Sequence, residues 1–203
     1  MPNLLTEFQA RINGNGGEPV VQDFLERHPF IIPNTEYVFA NMVISKPPLG
    51  ADHYPDFAYI NPQSGPIFLR LVEIESPKKK IFKKNDEFSQ RFHSALQQVH
   101  DWLIWCHQNA EFLRHFFQPL YEVQSQSFPL LIARGLLIYG RRSEINTTRR
   151  KERWAQMKLT NQFIKIQTYD GFSEERQGIL TSGITLSTRC AAYRKRSFEL
   201  KHN

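Results

Sequence analysis

The chain has 203 residues, of which 40% are hydrophobic and 23% charged, and it contains 16 Phe. This length and composition fit one globular domain with a substantial core, and they exclude an intrinsically disordered chain. The formal net charge of +6 suits a polyanionic partner such as nucleic acid, although charge alone does not identify one.

Cysteine usage and hydropathy indicate the compartment. Cys106 and Cys190 are not spaced as metal ligands, so we interpret both as free thiols in a reducing compartment. The first residues lack the basic stretch and apolar segment of a secretory signal. The longest apolar stretch, 128–139, is too short to span a bilayer and contains Arg134. We therefore expect a cytoplasmic protein without membrane contact.

The apolar pattern predicts alternating helices and strands. Helices are predicted over 18–28, from a cap at Asp86 to about Phe117, and over 147–161. Strands are predicted over 36–44, 55–60, 67–75, 130–139 and 163–169. This order predicts an α/β fold in which helices flank a mixed central β-sheet. We assign residues 18–188 to one domain, with a flexible N-terminus over 1–17 and a basic tail over 189–203.

Three carboxylates lie close together in the predicted strands. Glu73 and Glu75 are two residues apart, so they project from the same face of a strand. If the predicted hairpin pairs symmetrically about Ser64 and Gly65, Asp56 lies opposite Glu73. Converging carboxylate oxygens suit Mg²⁺ or Mn²⁺. In the alternative interpretation, Glu73 and Glu75 simply emerge into solvent where the strand ends.

A longer string of residues surrounds these carboxylates. It comprises Pro55-Asp56, Val72-Glu73-Ile74-Glu75-Ser76-Pro77, Ile81-Phe82, Ala95-Leu96-Gln97-Gln98 ahead of Trp102, and the flanking segments 21–29, 137–142 and 168–170. The string resembles the active-site motif of the PD-(D/E)XK nuclease superfamily and, more closely, the Shedu family of bacterial antiphage nucleases. The resemblance spans about 18–172. It implies a restriction-endonuclease-like fold and a homo-oligomer that cleaves DNA with Mg²⁺ or Mn²⁺.

The resemblance also implies roles for individual residues. Asp56 and Glu73 would bind the metal ion, with the carbonyl of Ile74 as a further ligand. Gln98 would orient water or phosphate, or it is an ordinary surface glutamine. The superfamily has Lys where this chain has Glu75, which is a clear departure. Glu75 would then act as a metal ligand or general base.

Basic residues follow the candidate site. The cationic role of the missing Lys would pass to Lys78, Lys79 or Lys80, or to the metal ion. These three residues with Lys83 and Lys84 form a basic loop, which is either a solvated loop or a set of phosphate contacts. Its position favours phosphate contacts. A second basic cluster, for which the case is weaker, comprises Arg141, Arg142, Arg149, Arg150, Lys151 and Arg153.

The sequence therefore favours a Mg-dependent endonuclease acting on DNA. The alternative is a decayed nuclease fold that binds nucleic acid or a defence partner without cleavage.

Overall fold

A mixed seven-stranded sheet lies at the centre of the computed structural model, which describes residues 3–63, 66–121, 131–182, 187–194 and 197–201. The strands are β1 (Met42–Ser45), β2 (Phe57–Pro62), β3 (Ile67–Ile74), β4 (Leu131–Ile138), β5 (Ile164–Gln167), β6 (Arg189–Arg194) and β7 (Ser197–Leu200). Their order in the sheet is β5-β4-β3-β2-β1-β6-β7. The β1–β2, β2–β3 and β6–β7 pairs are antiparallel, whereas β3–β4, β4–β5 and β1–β6 are parallel.

Helices cover both faces of this sheet. They are α1 (Leu4–Asn13), α2 (Gly17–Arg27), α3 (Gln90–Gln108), α4 (Ala110–Tyr121), α5 (Thr148–Thr160), α6 (Tyr169–Glu175) and α7 (Gln177–Ser182). Short 3-10 turns occupy Pro29–Ile31, Phe39–Asn41 and Arg142–Glu144. The prediction of an α/β fold with a mixed sheet flanked by helices is confirmed. No helix in the described ranges is long and apolar enough to cross a membrane.

Alternation along the strands divides the core into two layers. Leu69 and Leu71 of β3 pack with α3 and α4, whereas Val72 and Ile74 pack with α1, α2 and α6. Residues two apart on a strand share a face, so Glu73 lies on the same face of β3 as Leu69 and Leu71. The candidate carboxylate therefore lies where an apolar strand face reaches the end of the sheet.

Described segments near both termini have regular structure, where the sequence predicted a flexible N-terminus over 1–17 and a basic tail over 189–203. Phe8 of α1 is fully buried, with its ring centroid 5.4 Å from that of Phe24. The tail forms β6 and β7, and Lys201 pairs with Glu26 at 2.5 Å. These contacts join residues far apart in the chain, so the local sequence pattern did not indicate them.

Two predicted element boundaries also differ. The long helix begins after Ser89, whose hydroxyl accepts a hydrogen bond from the backbone N of Phe92, and it ends at Asn109 before α4. Asp86, the predicted cap, instead has a φ of 62° and accepts a hydrogen bond from Arg150 at 2.6 Å. The strand predicted over 36–44 begins only at Met42, because a 3-10 turn with positive φ angles precedes it.

Arg176 ties α6 and α7 to the turn after α2, and its removal is expected to be costly. Its side chain is 4% exposed and donates to the carbonyls of Ile31 at 2.6 Å and Ile32 at 2.8 Å. We expect Arg176→Met to lower the free energy of unfolding by about 2–4 kcal/mol, because both buried carbonyls lose their charged donor. Urea denaturation measures the change. The exposed Arg27→Met is the control, with an expected loss below about 1 kcal/mol, and equal losses would contradict the prediction.

Candidate active site

The hairpin β2–β3 brings the predicted carboxylates together. Phe57 pairs with Val72, the register expected from symmetry about the turn, whose residues Ser64 and Gly65 lie outside the described ranges. One residue further, Asp56 and Glu73 are adjacent and only 4% and 8% exposed. The backbone N of Ile74 donates to Asp56 Oδ2 at 2.9 Å. Because Asp56 and Glu73 are buried, the structure does not fit the alternative in which the acids at the strand end emerge into solvent.

Glu73 is held in its neutral form by its surroundings. Burial raises its pKa first, and the charge of Asp56, a side-chain hydrogen bond to Asp56, and the charges of Glu75 and Glu18 raise it further, to about 10. Without a metal ion, these surroundings therefore favour the neutral form of Glu73 at neutral pH. A site that needs a proton to remain stable also favours a cation in the same place.

Glu75 extends this cluster and is fixed by its backbone. Its side chain is 12% exposed. Its backbone N donates to the carbonyl of Ile138 at 2.9 Å, and its carbonyl accepts from the Tyr169 hydroxyl at 2.7 Å. These bonds hold the end of β3 against β4 and α6, so the Glu75 carboxylate has a defined position beside Glu73.

A fourth carboxylate, Glu18, was not expected from the sequence. It lies in the first turn of α2, where the preceding Gly17 has a φ of 64° and sits close to Ser76. Burial raises the pKa of Glu18, and the charges of Asp56 and Glu75 and a side-chain hydrogen bond to Glu75 raise it further. An acid in a first helical turn is common, so its position gave no signal until tertiary packing brought α2 to the strand end.

Two lysines balance the charge of the cluster. Lys46, directly after β1 and with a φ of 48°, places its Nζ 2.9 Å from Asp56 Oδ1. Burial opposes its charge, but Asp56, Glu73 and Glu18 outweigh that effect and raise the pKa of Lys46. Lys79 pairs with Glu75. Of the three lysines considered for the missing cationic role, the structure thus brings Lys79 to the cluster, and it adds Lys46.

The carboxylates of this cluster are of the chemical type that binds a divalent ion, and several of their oxygens already have other partners. In the described part of the chain, no three His, Cys, Asp or Glu side chains are arranged to hold a metal ion. Within the cluster, Asp56 instead binds Lys46 and the amide of Ile74, and Glu75 binds Lys79. Hard carboxylate oxygens that already require protons and lysines for balance are the ligands that Mg²⁺ and Mn²⁺ prefer.

The structure brings some of the remaining predicted residues close to the carboxylates and leaves others without contact to them. Gln98 is exposed on α3 and has no hydrogen bond or ion pair with the four carboxylates. A groove of 290 Å³ is lined by several cations beside Glu75, namely Lys78, Lys79, Lys80 and Arg141. The other contacts of the basic residues are Lys78 with Asn15, Lys80 with Glu144, Lys83 with Glu87, Arg141 with Asp170 and Arg142 with Glu174. Lys84 is exposed and has no ion pair within the described ranges.

Gly140 fixes the loop that carries Lys79. Its φ is 59°, and an added Cβ would lie 2.8 Å from the carbonyl oxygen of Lys79. We expect Gly140→Ala to lower the free energy of unfolding by about 2–3 kcal/mol. The alanine would have to keep a left-handed backbone conformation, and its Cβ would clash with the carbonyl oxygen of Lys79. Chemical denaturation measures this loss. Gly178→Ala in α7 is the matched control, since nothing lies within 4 Å of its added Cβ; a loss there as large as at Gly140 would refute the steric argument.

Comparisons with known proteins identify the family. The model of the family described as "Shedu protein SduA, C-terminal" matches residues 16–172. Among solved structures, the chain is similar to restriction endonuclease FokI bound to DNA, at 9% identity and a TM-score of 0.44, covering 89% of this chain and 28% of the FokI chain. No curated protein matches the chain. Since the family model covers well over half of the 203 residues, the chain belongs to the family of the C-terminal region of Shedu protein SduA.

Proposed function

We propose that this chain is a divalent-metal-dependent endonuclease that hydrolyses DNA phosphodiester bonds in bacterial antiphage defence. The observation that supports it best is the convergence of Asp56, Glu73, Glu75 and Glu18 where β3 ends. Acids gathered in a buried place need protons or cations to remain stable, and carboxylates perturbed in this way are typical of functional sites. Membership of the Shedu family supports the defence role.

Each residue of the cluster has a distinct role in this proposal. Asp56 and Glu73 would hold Mg²⁺ or Mn²⁺, with the Ile74 carbonyl as a further ligand. When bound, the ion lowers the pKa of a water molecule and neutralises charge on the scissile phosphate. Glu75 accepts the proton of the attacking water as a general base. Glu18 is hydrogen-bonded to Glu75 and orients it.

The lysines of the cluster exchange partners as the site is loaded. Lys46 and Lys79 neutralise Asp56 and Glu75 in the metal-free protein. With a cation bound at the carboxylates, both ammonium groups would be available to contact the phosphate of the substrate. One of them then stabilises charge where the superfamily uses its Lys. Gln98, on α3, is the candidate for orienting phosphate or water.

The DNA backbone is proposed to follow the basic groove beside Glu75. Lys78, Lys79, Lys80 and Arg141 line the groove, and Lys83, Lys84 and Arg142 are proposed as further phosphate contacts outside its lining. Most of them hold acidic partners in the free protein, and phosphates would replace these partners on binding. Binding should therefore weaken steeply with salt. A homo-oligomer in the cytoplasm would place two such sites on one duplex, as cutting both strands requires.

Plasmid cleavage tests the proposal. The purified chain is incubated with supercoiled and with linear DNA in the presence of Mg²⁺, Mn²⁺ or EDTA, and the products are separated on agarose gels. We expect nicked or linear product with either metal ion and intact plasmid in EDTA. Cleavage that persists in EDTA, or DNA left intact under every metal ion, contradicts the proposal.

Glu75 supports a second candidate function. Glu75 occupies the position of the superfamily Lys, and its carboxylate is paired with Lys79. A decayed nuclease fold would keep the basic groove and bind nucleic acid or a defence partner without cutting. Intact plasmid together with salt-sensitive DNA binding in a gel-shift assay would favour this candidate over the enzyme.

A further inference from the structure

Two arginines face each other on neighbouring strands, away from the carboxylates. Arg70 of β3 is paired in register with Arg134 of β4, so both side chains project from the same sheet face. Glu36 binds Arg70 at 2.8 Å, but Arg134 has no carboxylate partner within the described ranges. Burial and then the charge of Arg70 lower the pKa of Arg134. Like charges placed directly opposite on a sheet are destabilising, and Glu36 neutralises Arg70 but leaves Arg134 without an anion in the part of the chain that the structure describes.

A concave surface surrounds this pair. Its volume is 310 Å³, and its lining includes Arg70, Arg134, Lys158 and Lys165. Among the described residues that line it, none is acidic. Glu175 pairs with Lys165 from outside the lining, whereas Lys158 is exposed at the end of α5 and has no ion pair in the described part of the chain. Arg134 and Lys158 therefore supply uncompensated positive charge to one pocket.

An apolar cavity adjoins this cationic pocket. It has a volume of 590 Å³, is lined by side chains such as Leu103, Ile104 and Leu113, and shares Arg134 and Phe163 with the pocket. The Arg134 guanidinium lies 4.4 Å from the centre of the Phe163 ring. Phe163 is nevertheless 57% exposed, so much of its ring is open to a planar ligand.

We propose that this composite pocket binds a nucleotide, with its phosphate on Arg134, Arg70 and Lys158 and its base against Phe163. Guanidinium groups bind phosphate through paired, charge-assisted hydrogen bonds. Bases stack on aromatic rings largely irrespective of their identity. The volumes of the two cavities lie within the usual range for small-molecule sites. The nucleotide is either free or the end of a nucleic-acid strand, and both share this chemistry.

This pocket is separate from the carboxylate cluster. Arg70 precedes Glu73 by three residues, which corresponds to about 10 Å along an extended strand. The two side chains also project from opposite sheet faces, because their numbers differ in parity. Both lie on β3, so nucleotide binding would contact the same strand that ends in the carboxylates. Binding at this pocket nevertheless does not require that the chain be a nuclease.

Isothermal titration of the full chain at low salt without divalent metal tests the proposal. The probes are ATP, AMP, adenosine, tripolyphosphate, and trithymidylate with and without a 5′-phosphate. We expect ATP or the 5′-phosphorylated trimer to bind, and Arg134→Gln to weaken that binding about 10-fold or more. Tighter binding of ATP identifies a free nucleotide, whereas tighter binding of the phosphorylated trimer identifies a strand end.

Matched variants separate a built pocket from general attraction to a basic protein. Arg149→Gln removes the same charge from an exposed residue of α5 outside both cavities and should change the affinity less than about twofold. Lys158→Gln, at an exposed position, repeats the test if Arg134→Gln does not fold. Equal weakening by Arg149→Gln, or no binding of any phosphate probe, overturns the proposal. Tripolyphosphate binding as tightly as ATP overturns the assignment of the base to Phe163.

Discussion

Asp56→Ala and Glu73→Ala should each abolish metal-dependent nicking of plasmid DNA. Both residues supply oxygens to one buried cluster, so neither can be replaced by a more distant acid. We expect rates to fall about a thousandfold or more, equivalent to about 4 kcal/mol of transition-state stabilisation. Quantified conversion of supercoiled to nicked plasmid at saturating Mg²⁺ gives the two rates. Titration at rising Mg²⁺ shows whether any residual activity reflects weaker metal binding.

Two further variants distinguish lost ligands from lost folding. Glu73→Gln resembles the neutral form that burial and Asp56 already impose on this side chain, so its free energy of unfolding without metal should stay close to that of the parent. It should nevertheless fail to nick. Asp23→Ala removes an acid of α2 whose partner is the exposed Arg27, and it should cut normally. Nicking by Glu73→Gln at the parental rate would show that Glu73 is not a metal ligand.

The hairpin explains why the sequence predicts the centre of this site. A symmetric turn fixes the register of β2 against β3, and a strand period of two fixes the face of each side chain. Asp56 and Glu73 therefore follow from local rules alone, and the register Phe57–Val72 bears this out. The mixed sheet and most of its strands follow in the same way from apolar periodicity.

The partners of the hairpin do not follow from local rules. Glu18 arrives on a helix and Lys46 on the loop after β1, and each reaches the carboxylates only when the sheet assembles. Lys46 also has a positive φ, which a lysine does not indicate in a sequence. The helix α1 was missed for a related reason, because Phe8 is buried by residues far away in the chain. Tertiary contacts, not propensities, decided these elements.

Substitution of Glu75 distinguishes the endonuclease from a nuclease fold that only binds DNA. If it acts as the general base, Glu75→Gln should lower the nicking rate by about 10²- to 10⁴-fold while leaving DNA binding unchanged. Lys79→Met should change the rate less, because it removes only the partner that Glu75 holds before metal binds. Single-turnover nicking and gel-shift assays measure the two effects.

Glu75→Lys restores the residue type of the superfamily and completes the test. The new ammonium group would stand beside Lys79 and near Glu18, where it exchanges an ion pair for a repulsion. A chain adapted to an acid at this position should therefore lose activity with this substitution, as it does with Glu75→Gln. Cleavage by Glu75→Lys when the parent leaves DNA intact would instead show that chemistry still requires the lysine. The parent would then be a nuclease fold retained for binding, with its metal-binding acids still in place.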